Sequence, residues 1–332
     1  MNSRELRLKR RPPGMPTADD FEMASVQLPD PADGQVLVRN LAMSVDPYMR
    51  GRMRDVQSYA APWQLGAVMQ GGAIGRVVES RHAGFAVGDL VESGNGWREA
   101  FISDGQGLGR VNNPIAPPSA YLGVLGMPGM TAYVGLLGAA EMKSGETVFI
   151  SGAAGAVGSI AGQIAKQRGC TVIGSAGGAA KVEYCRSIGF DHAFDYHAGD
   201  LPGQLRAAAP NGLDVYFDNV GGDHLQAAIG HMRPMGRIAL CGAIAQYNAT
   251  APVPGPNNLT MAIGLGLNLR GFIVSMYQNM RADFMREMSA WVQSGQVTYR
   301  ETVFEGLERA PEAFIGLFTG ANTGKMIVTL GD

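Results

Sequence analysis

Cysteine is scarce: Cys170, Cys185 and Cys241 are the only three in 332 residues. They are isolated, odd in number and set in apolar patterns. This argues against a disulfide framework and suits buried thiols in a reducing compartment, the cytoplasm. Residues 1–122 hold no cysteine and a single histidine, His82, which argues against zinc-dependent alcohol oxidation, and no metal is expected. The five histidines, His82, His192, His197, His224 and His231, are scattered, and each reads as surface or packing rather than catalytic. No G-x-S-x-G nucleophile elbow occurs. No apolar run approaches the about 20 residues of a membrane span, and the N-terminus lacks a signal-peptide core. With 27 basic and 29 acidic residues the net charge is −2, which lacks the basic footprint of a nucleic-acid binder. The basic run from Arg4 to Arg11 is short, flanked by acids, and reads as solvated.

What is present centres on Thr147 to Gln167, TVFISGAAGAVGSIAGQIAKQ. Thr147 to Ser151 is a short apolar run suited to a buried parallel strand. A small-residue turn follows, Gly152 to Gly158, and then Val157, Ile160, Ala161, Ile164 and Ala165 recur at helical spacing. A strand, a glycine turn and a helix in that order form a phosphate cradle, because small residues let the backbone approach a pyrophosphate and the helix N–H groups point at the anion. The turn reads A-x-G-x-x-G, with Ala153 where the usual fingerprint has its first glycine. With 47 glycines in the chain the pattern alone is weak, and its strand-and-helix context carries it.

The length predicts two domains. Residues 1 to about 122 read as mostly β, with strands at Gln35–Leu41, Gly72–Ser80, Asp89–Ser93 and Trp97–Ser103. Pro47 and Arg50, Arg52 and Arg54 mark a polar loop, either solvated or salt-bridged. From Gly123 strands and helices alternate. Helices are predicted at Thr131–Glu141, Ala179–Ile188, Leu201–Ala209, Gly222–Met232 and Asp283–Gln293. Strands are predicted at Cys170–Ser175, His192–Asp195, Leu213–Asp218, Arg237–Cys241 and Leu269–Val274. That rhythm is a doubly wound parallel α/β sheet carrying a dinucleotide site. A final strand, Met326–Leu330, has no helix partner and is expected to return to the β-rich region.

An NAD site places an acid about 20 residues beyond the glycines, to bind the ribose 2′-OH. Here the second strand runs into Ser175-Ala176-Gly177-Gly178-Ala179-Ala180-Lys181, with no acid and one lysine. Small residues leave room for a 2′-phosphate, Lys181 offers it a charge, and Tyr196 adds a hydroxyl, so NADPH is the expected cofactor. Without a metal, hydride addition to an activated C=C bond needs hydrogen-bond donors for the developing enolate. Tyr247, beyond the strand ending at Cys241, and Tyr48, in SVDPYMRGRM, are candidates, each equally readable as a packed aromatic.

SVDPYMRGRM, GVLGMPGMTAYVGLL, SGAAGAVGSIAGQIAK, FDNVGG, CGAIAQYN and GANTGK together resemble the zinc-free medium-chain dehydrogenase/reductases, in the branch of NADPH-dependent alkenal/one oxidoreductases. The resemblance runs from Arg4 to Leu330. It implies a GroES-like catalytic domain over 1–122 completed by 299–332, a Rossmann NADP-binding domain over 123–298, a cleft site and a homodimer. The activity implied is NADPH-dependent reduction of the α,β double bond of enones and enals. Carried over by motif, the cofactor contacts are Gly155, Ala156, Val157, Gly158, Lys181, Tyr196, Asn219, Cys241, Gly242, Ala243, Ile244, Tyr247, Phe272, Ile273, Val274 and Asn322. Met127 and Thr131 fall beside the nicotinamide, and Tyr48, Met49 and Tyr247 beside substrate. Two departures stand out: no acid precedes Lys181, and Asn257 to Asn268 lacks the charges many relatives carry there. Two other activities fit the same cofactor site, one-step quinone reduction and non-catalytic NADPH sensing.

Overall fold

The structure is a computed structural model, and it describes residues 1–331. The chain divides into two compact units. The first comprises Met1–Leu122, Glu301–Asn322 and the chain from Met326 onward; the second comprises Gly123–Arg300 and Thr323–Lys325.

The first unit opens with an antiparallel ribbon, β1 (Asn2–Leu8) against β2 (Phe21–Gln27). The basic run is therefore not a solvated tail, contrary to the sequence expectation. Leu6 and Leu8 are buried. Arg4 pairs with Glu99 at 2.7 Å and Arg7 with Glu5 at 2.7 Å, while Arg11 donates to the carbonyls of Met53 and Trp63. The strand buries Ser3 and Glu5 as well as Leu6 and Leu8, so its burial does not follow a simple apolar alternation and reads as charge when only composition is weighed. Then come β3 (Val36–Ser44), the short helix α1 (Met49–Arg52), β4 (Ala73–Ser80), β5 (Leu90–Ser93), β6 (Ala100–Ser103) and β7 (Gly109–Arg110). The arginine loop is corrected as well. Arg50 is fully buried and donates to the carbonyls of Pro12 and Gly14 at 3.0 and 2.7 Å. Phe21 stacks on Trp97 at 6.0 Å, and Met43, Met49, Met53 and Phe314 fill the core around them.

The second unit alternates as expected. Its elements are α2 (Met127–Val134), β8 (Thr147–Ile150), α3 (Ala156–Gln167), β9 (Thr171–Ala176), α4 (Ala179–Ser187), β10 (His192–Asp195), α5 (Leu201–Ala208), β11 (Leu213–Asp218), α6 (Gly222–Ile229), β12 (Met232–Leu240), α7 (Met261–Leu265), β13 (Asn268–Gly271) and α8 (Arg281–Gln293). Six parallel strands lie in the order β10-β9-β8-β11-β12-β13. The order reverses beside β8, which is where an open α/β sheet binds its ligand. Phe149, Ile173, Tyr216 and Ile238 pack one face against Leu205 and Ala228 of the helices. α2 stops earlier than its spacing suggests: Gly135–Ala139 widens into a π-helical turn, with Gly135 against the rings of Phe217 and Phe272.

The chain then returns to the first unit through β14 (Glu301–Glu305), α9 (Ala310–Gly316) and β15 (Lys325–Thr329). β15 pairs antiparallel with β3, Ile327 opposite Ser44, within the order β14-β15-β3-β4-β5-β7, and β6 also pairs with β3.

Candidate cofactor and active site

The phosphate turn is built from close backbone approaches. A Cβ on Gly158 would overlap the Gly152 carbonyl oxygen, so only glycine lets α3 start this near the strand end. Ala153 is tolerated because its neighbour gives way: its methyl fills space that a side chain on Gly174 would enter at 2.7 Å, and its amide donates to Ser175 O at 2.9 Å. Gly155 is the N-cap of the twelve-residue α3, and Ala156 and Val157 form its first turn, half-buried. A strap from far along the chain closes the other side, with Gly324 N donating to Ala154 O at 2.7 Å. A narrow cradle of backbone at the N-terminus of a long helix fits a dinucleotide pyrophosphate.

At the end of β9 the turn carries Lys181 in the first helical turn of α4. Partial burial lowers its pKa, with the Cys185 thiol opposing, and an anion bound beside it would favour its charged form. Tyr196 follows β10, and its hydroxyl reaches within 3.2 Å of where a Gly177 side chain would stand. An acid reaches this turn after all. Asp195 Oδ1 accepts from the amides of Gly178 and His197, each at 3.0 Å. It comes from the neighbouring strand, where sequence spacing along β9 does not show it.

The ends of β8, β11 and β12 are tied by a buried network. Asp218 accepts from Tyr216 Oη at 2.7 Å, Gly221 N at 2.8 Å and Val220 N at 3.0 Å. Ser151 Oγ donates to Tyr216 Oη, 2.9 Å away, and accepts from Asn219 N at 3.0 Å, and the Asn219 amide donates to Ser151 O at 2.8 Å. Burial raises the pKa of the Asp218 carboxyl, and these donors oppose the rise. The Asp218 carbonyl in turn accepts from Cys241 N and Gly242 N at 2.9 and 3.0 Å, so one residue shapes both loops. The second loop runs through Ala243 and Ile244 to Tyr247, whose hydroxyl accepts the Ala243 amide at 3.2 Å. Burial, then the nearby Cys241 and Asp218, push the Tyr247 phenol up, and burial puts the Cys241 thiol at about 12. Both stay protonated at neutral pH. The network was missed from sequence because its members lie on three strands. The acid within FDNVGG was its one visible trace.

Elsewhere in this unit Thr131 is buried, its hydroxyl donating to Met127 O at 2.8 Å, while Met127 is partly exposed, at 39%. Phe272 is buried edge-on to Phe217 at 6.0 Å, and Ile273 and Val274 are half-buried after β13.

In the first unit Tyr48 caps the start of α1, packed against the core. Burial, then the charge of Asp46, push its phenol up, with Arg52 opposing. The exposed Tyr59 interacts with it, a neighbour the sequence reading did not single out. Met49, expected beside substrate, is instead fully buried in the core of this unit, because α1 turns it inward toward Gly71. Asn322 is half-buried beyond α9. Among the described residues no group of three His, Cys, Asp or Glu side chains converges as metal ligands, and no helix is long and apolar enough to cross a membrane.

Comparison with known proteins agrees with this geometry. Residues 4–111 match the family described as the N-terminal domain of oxidoreductase, and residues 156–292 the family described as zinc-binding dehydrogenase. The NADPH-dependent curcumin reductase of Escherichia coli is 43% identical over 97% of this chain and 95% of that protein. Prostaglandin reductase 1 of Bos taurus is 45% identical over 97% of each. The crystal structure of CurA from Vibrio vulnificus in complex with NADPH superposes with a TM-score of 0.95, at 42% identity and 99% coverage of both chains. With identity of this order kept along nearly its whole length, the chain belongs to the NADPH-dependent alkenal/one oxidoreductase branch of the zinc-free medium-chain dehydrogenase/reductases.

Proposed function

We infer that this chain reduces the α,β carbon–carbon double bond of enones and enals with NADPH, without a metal. The observation that supports it most is the backbone cradle at Gly152–Gly158 joined, through Asp218, to the loop that ends in a protonated tyrosine.

Gly155 to Gly158 seat the pyrophosphate, and Lys181 and Tyr196 hold the 2′-phosphate. Asn219, Cys241 to Ile244, Phe272 to Val274, Met127, Thr131 and Asn322 are proposed for the remaining cofactor contacts. When bound, NADPH supplies the hydride that goes to the β-carbon. The C=C electron pair then moves toward the carbonyl, and negative charge collects on its oxygen. Tyr247 donates its hydrogen bond to that oxygen. Its raised pKa favours this role, because the group must remain a phenol to donate. Tyr48, also held as a phenol, is proposed as a second donor. The proton added at the α-carbon comes from one of these tyrosines or from a water they orient. The β-rich unit is proposed as the catalytic domain and the α/β unit as the cofactor domain.

A homodimer is proposed as the working form. β13 ends the six-stranded sheet, and an open strand edge is a template for pairing. The same unit exposes Met235 (71%), Leu259 (51%) and Ile263 (85%). A second copy would cover apolar surface of that kind. Three free thiols suit a cytoplasmic setting.

NADPH consumption with a 2-alkenal, a benzylideneacetone-type ketone, a 15-keto-prostaglandin, curcumin and a naphthoquinone tests the reading. Saturated carbonyl products in proportion to NADPH consumed are expected. Turnover of the quinone alone would replace it with quinone reduction, and NADPH binding without any turnover would replace it with a sensor.

A further inference from the structure

We propose that His197 sets the preference for a 2′-phosphorylated dinucleotide, by closing on the turn between β9 and α4 beside Tyr196 and by offsetting the charge of Asp195. The proposal rests on the reading of Lys181 and Tyr196 as the 2′-phosphate site, and it names a residue that neither the sequence motifs nor that reading assigns.

The turn itself shows the closure. A Cβ on Gly177 would meet His197 Cε1 at 2.9 Å and Tyr196 Oη at 3.2 Å, so the missing side chain is what admits both rings. The two rings lie 4.2 Å apart, tilted by 57°. From the other side the buried His224 ring meets Tyr196 edge-on at 5.0 Å. Burial lowers His224 to about 4, so it braces the phenol without adding charge. Tyr196 is thus bracketed by two histidines, and the exposed one faces the turn.

Asp195 gives His197 its purpose. A carboxylate accepting the Gly178 amide holds its negative charge at the turn after β9, and it repels a phosphate bound there. His197 Nδ1 lies 3.7 Å from the same Oδ1, and the His197 amide donates to it at 3.0 Å. The imidazole ring beside that oxygen offsets part of its charge. Lys181 then acts on the phosphate with less opposition. The charged and titratable groups around the turn are Lys181, Asp195, Tyr196, His197 and the neutral His224. Without His197 the balance among them shifts toward the carboxylate, and NADH gains relative to NADPH.

The experiment measures dissociation constants by calorimetry for NADPH, NADH, 2′,5′-ADP and 5′-AMP. It uses the wild-type chain, His197→Ala, His197→Ala with Asp195→Asn, and Lys181→Ala. His197 is a surface residue, so its removal leaves the core intact. His197→Ala is expected to weaken NADPH and 2′,5′-ADP by roughly five- to thirty-fold and to leave NADH and 5′-AMP within about two-fold. Adding Asp195→Asn is expected to recover most of the lost NADPH affinity. Equal weakening of all four ligands, no weakening at all, or no recovery in the double variant would overturn the proposal. The Lys181→Ala arm separates the two levels. A selective loss there without one in His197→Ala sinks the histidine proposal alone, and no selectivity in either variant sinks the 2′-phosphate site with it.

Discussion

Tyr247 carries the most weight among single residues. Its hydroxyl sits in a loop shaped by Asp218 and is held protonated by burial. Tyr247→Phe is expected to lower kcat by roughly ten- to a thousand-fold while the NADPH dissociation constant changes little. Steady-state rates and calorimetry on the same variant measure both, and an unchanged kcat would remove Tyr247 from the chemistry. Lys181→Ala is expected to raise the KM for NADPH and spare that for NADH, and equal effects would refute its phosphate role. The sequence case for Lys181 is local: a lysine at a helix start with no acid beside it in sequence. Asp195 and His197 were not legible as site residues. Asp195 ends β10 and His197 follows it in the next turn, and the pairing of β10 with β9 brings this strand end to the turn after β9. Met49 shows the opposite error. A motif neighbour of Tyr48 looked substrate-facing, but one step along a short helix points it into the core.

At the scale of elements, β8, its turn and α3 were read nearly to the residue, since an apolar run, a glycine turn and a helical period coincide there. Gly158→Ala is the sharpest check on that element. The added methyl overlaps the Gly152 carbonyl, and strain of this kind costs about 1–3 kcal/mol. NADPH affinity is expected to fall by about tenfold or more, measured by calorimetry, and wild-type affinity would contradict the cradle. β1 escaped the sequence reading because it buries the polar Ser3 and Glu5 beside Leu6 and Leu8, so no apolar alternation marks it. α1 escaped for a related reason: a polar side chain such as Arg50 goes inside only where carbonyls, here those of Pro12 and Gly14, are arranged to receive it. β12 begins at Met232 rather than Arg237, running through Pro234 and Gly236, which sequence rules treat as breakers. Its pairing with β11 shifts register across that stretch.

For the molecule as a whole, His224 predicts a pH dependence of stability. Its folded pKa is depressed to about 4 from an ordinary 6.5. Between those values the unfolded chain takes up a proton that the folded chain refuses, so stability is lost as pH falls through this window and is intact above it. The loss from this group is on the order of 3 kcal/mol. Urea unfolding across the window is expected to show it, and His224→Phe should flatten the slope; an unaltered slope would show that other groups dominate. The dimer has its own test at this scale. Ile263→Glu places a charge in the exposed apolar surface, and light scattering is expected to show a shift from dimer to monomer. A wild-type chain that is already monomeric would contradict the proposed assembly.

The central claim is that hydride reaches the β-carbon of an enone rather than its carbonyl carbon. The most direct measurement uses NADPH carrying deuterium at the transferable position, a simple enone, and NMR of the product. The account predicts a saturated ketone with deuterium on the β-carbon and ordinary hydrogen, drawn from solvent, on the α-carbon. An allylic alcohol with deuterium on the carbinol carbon would contradict it.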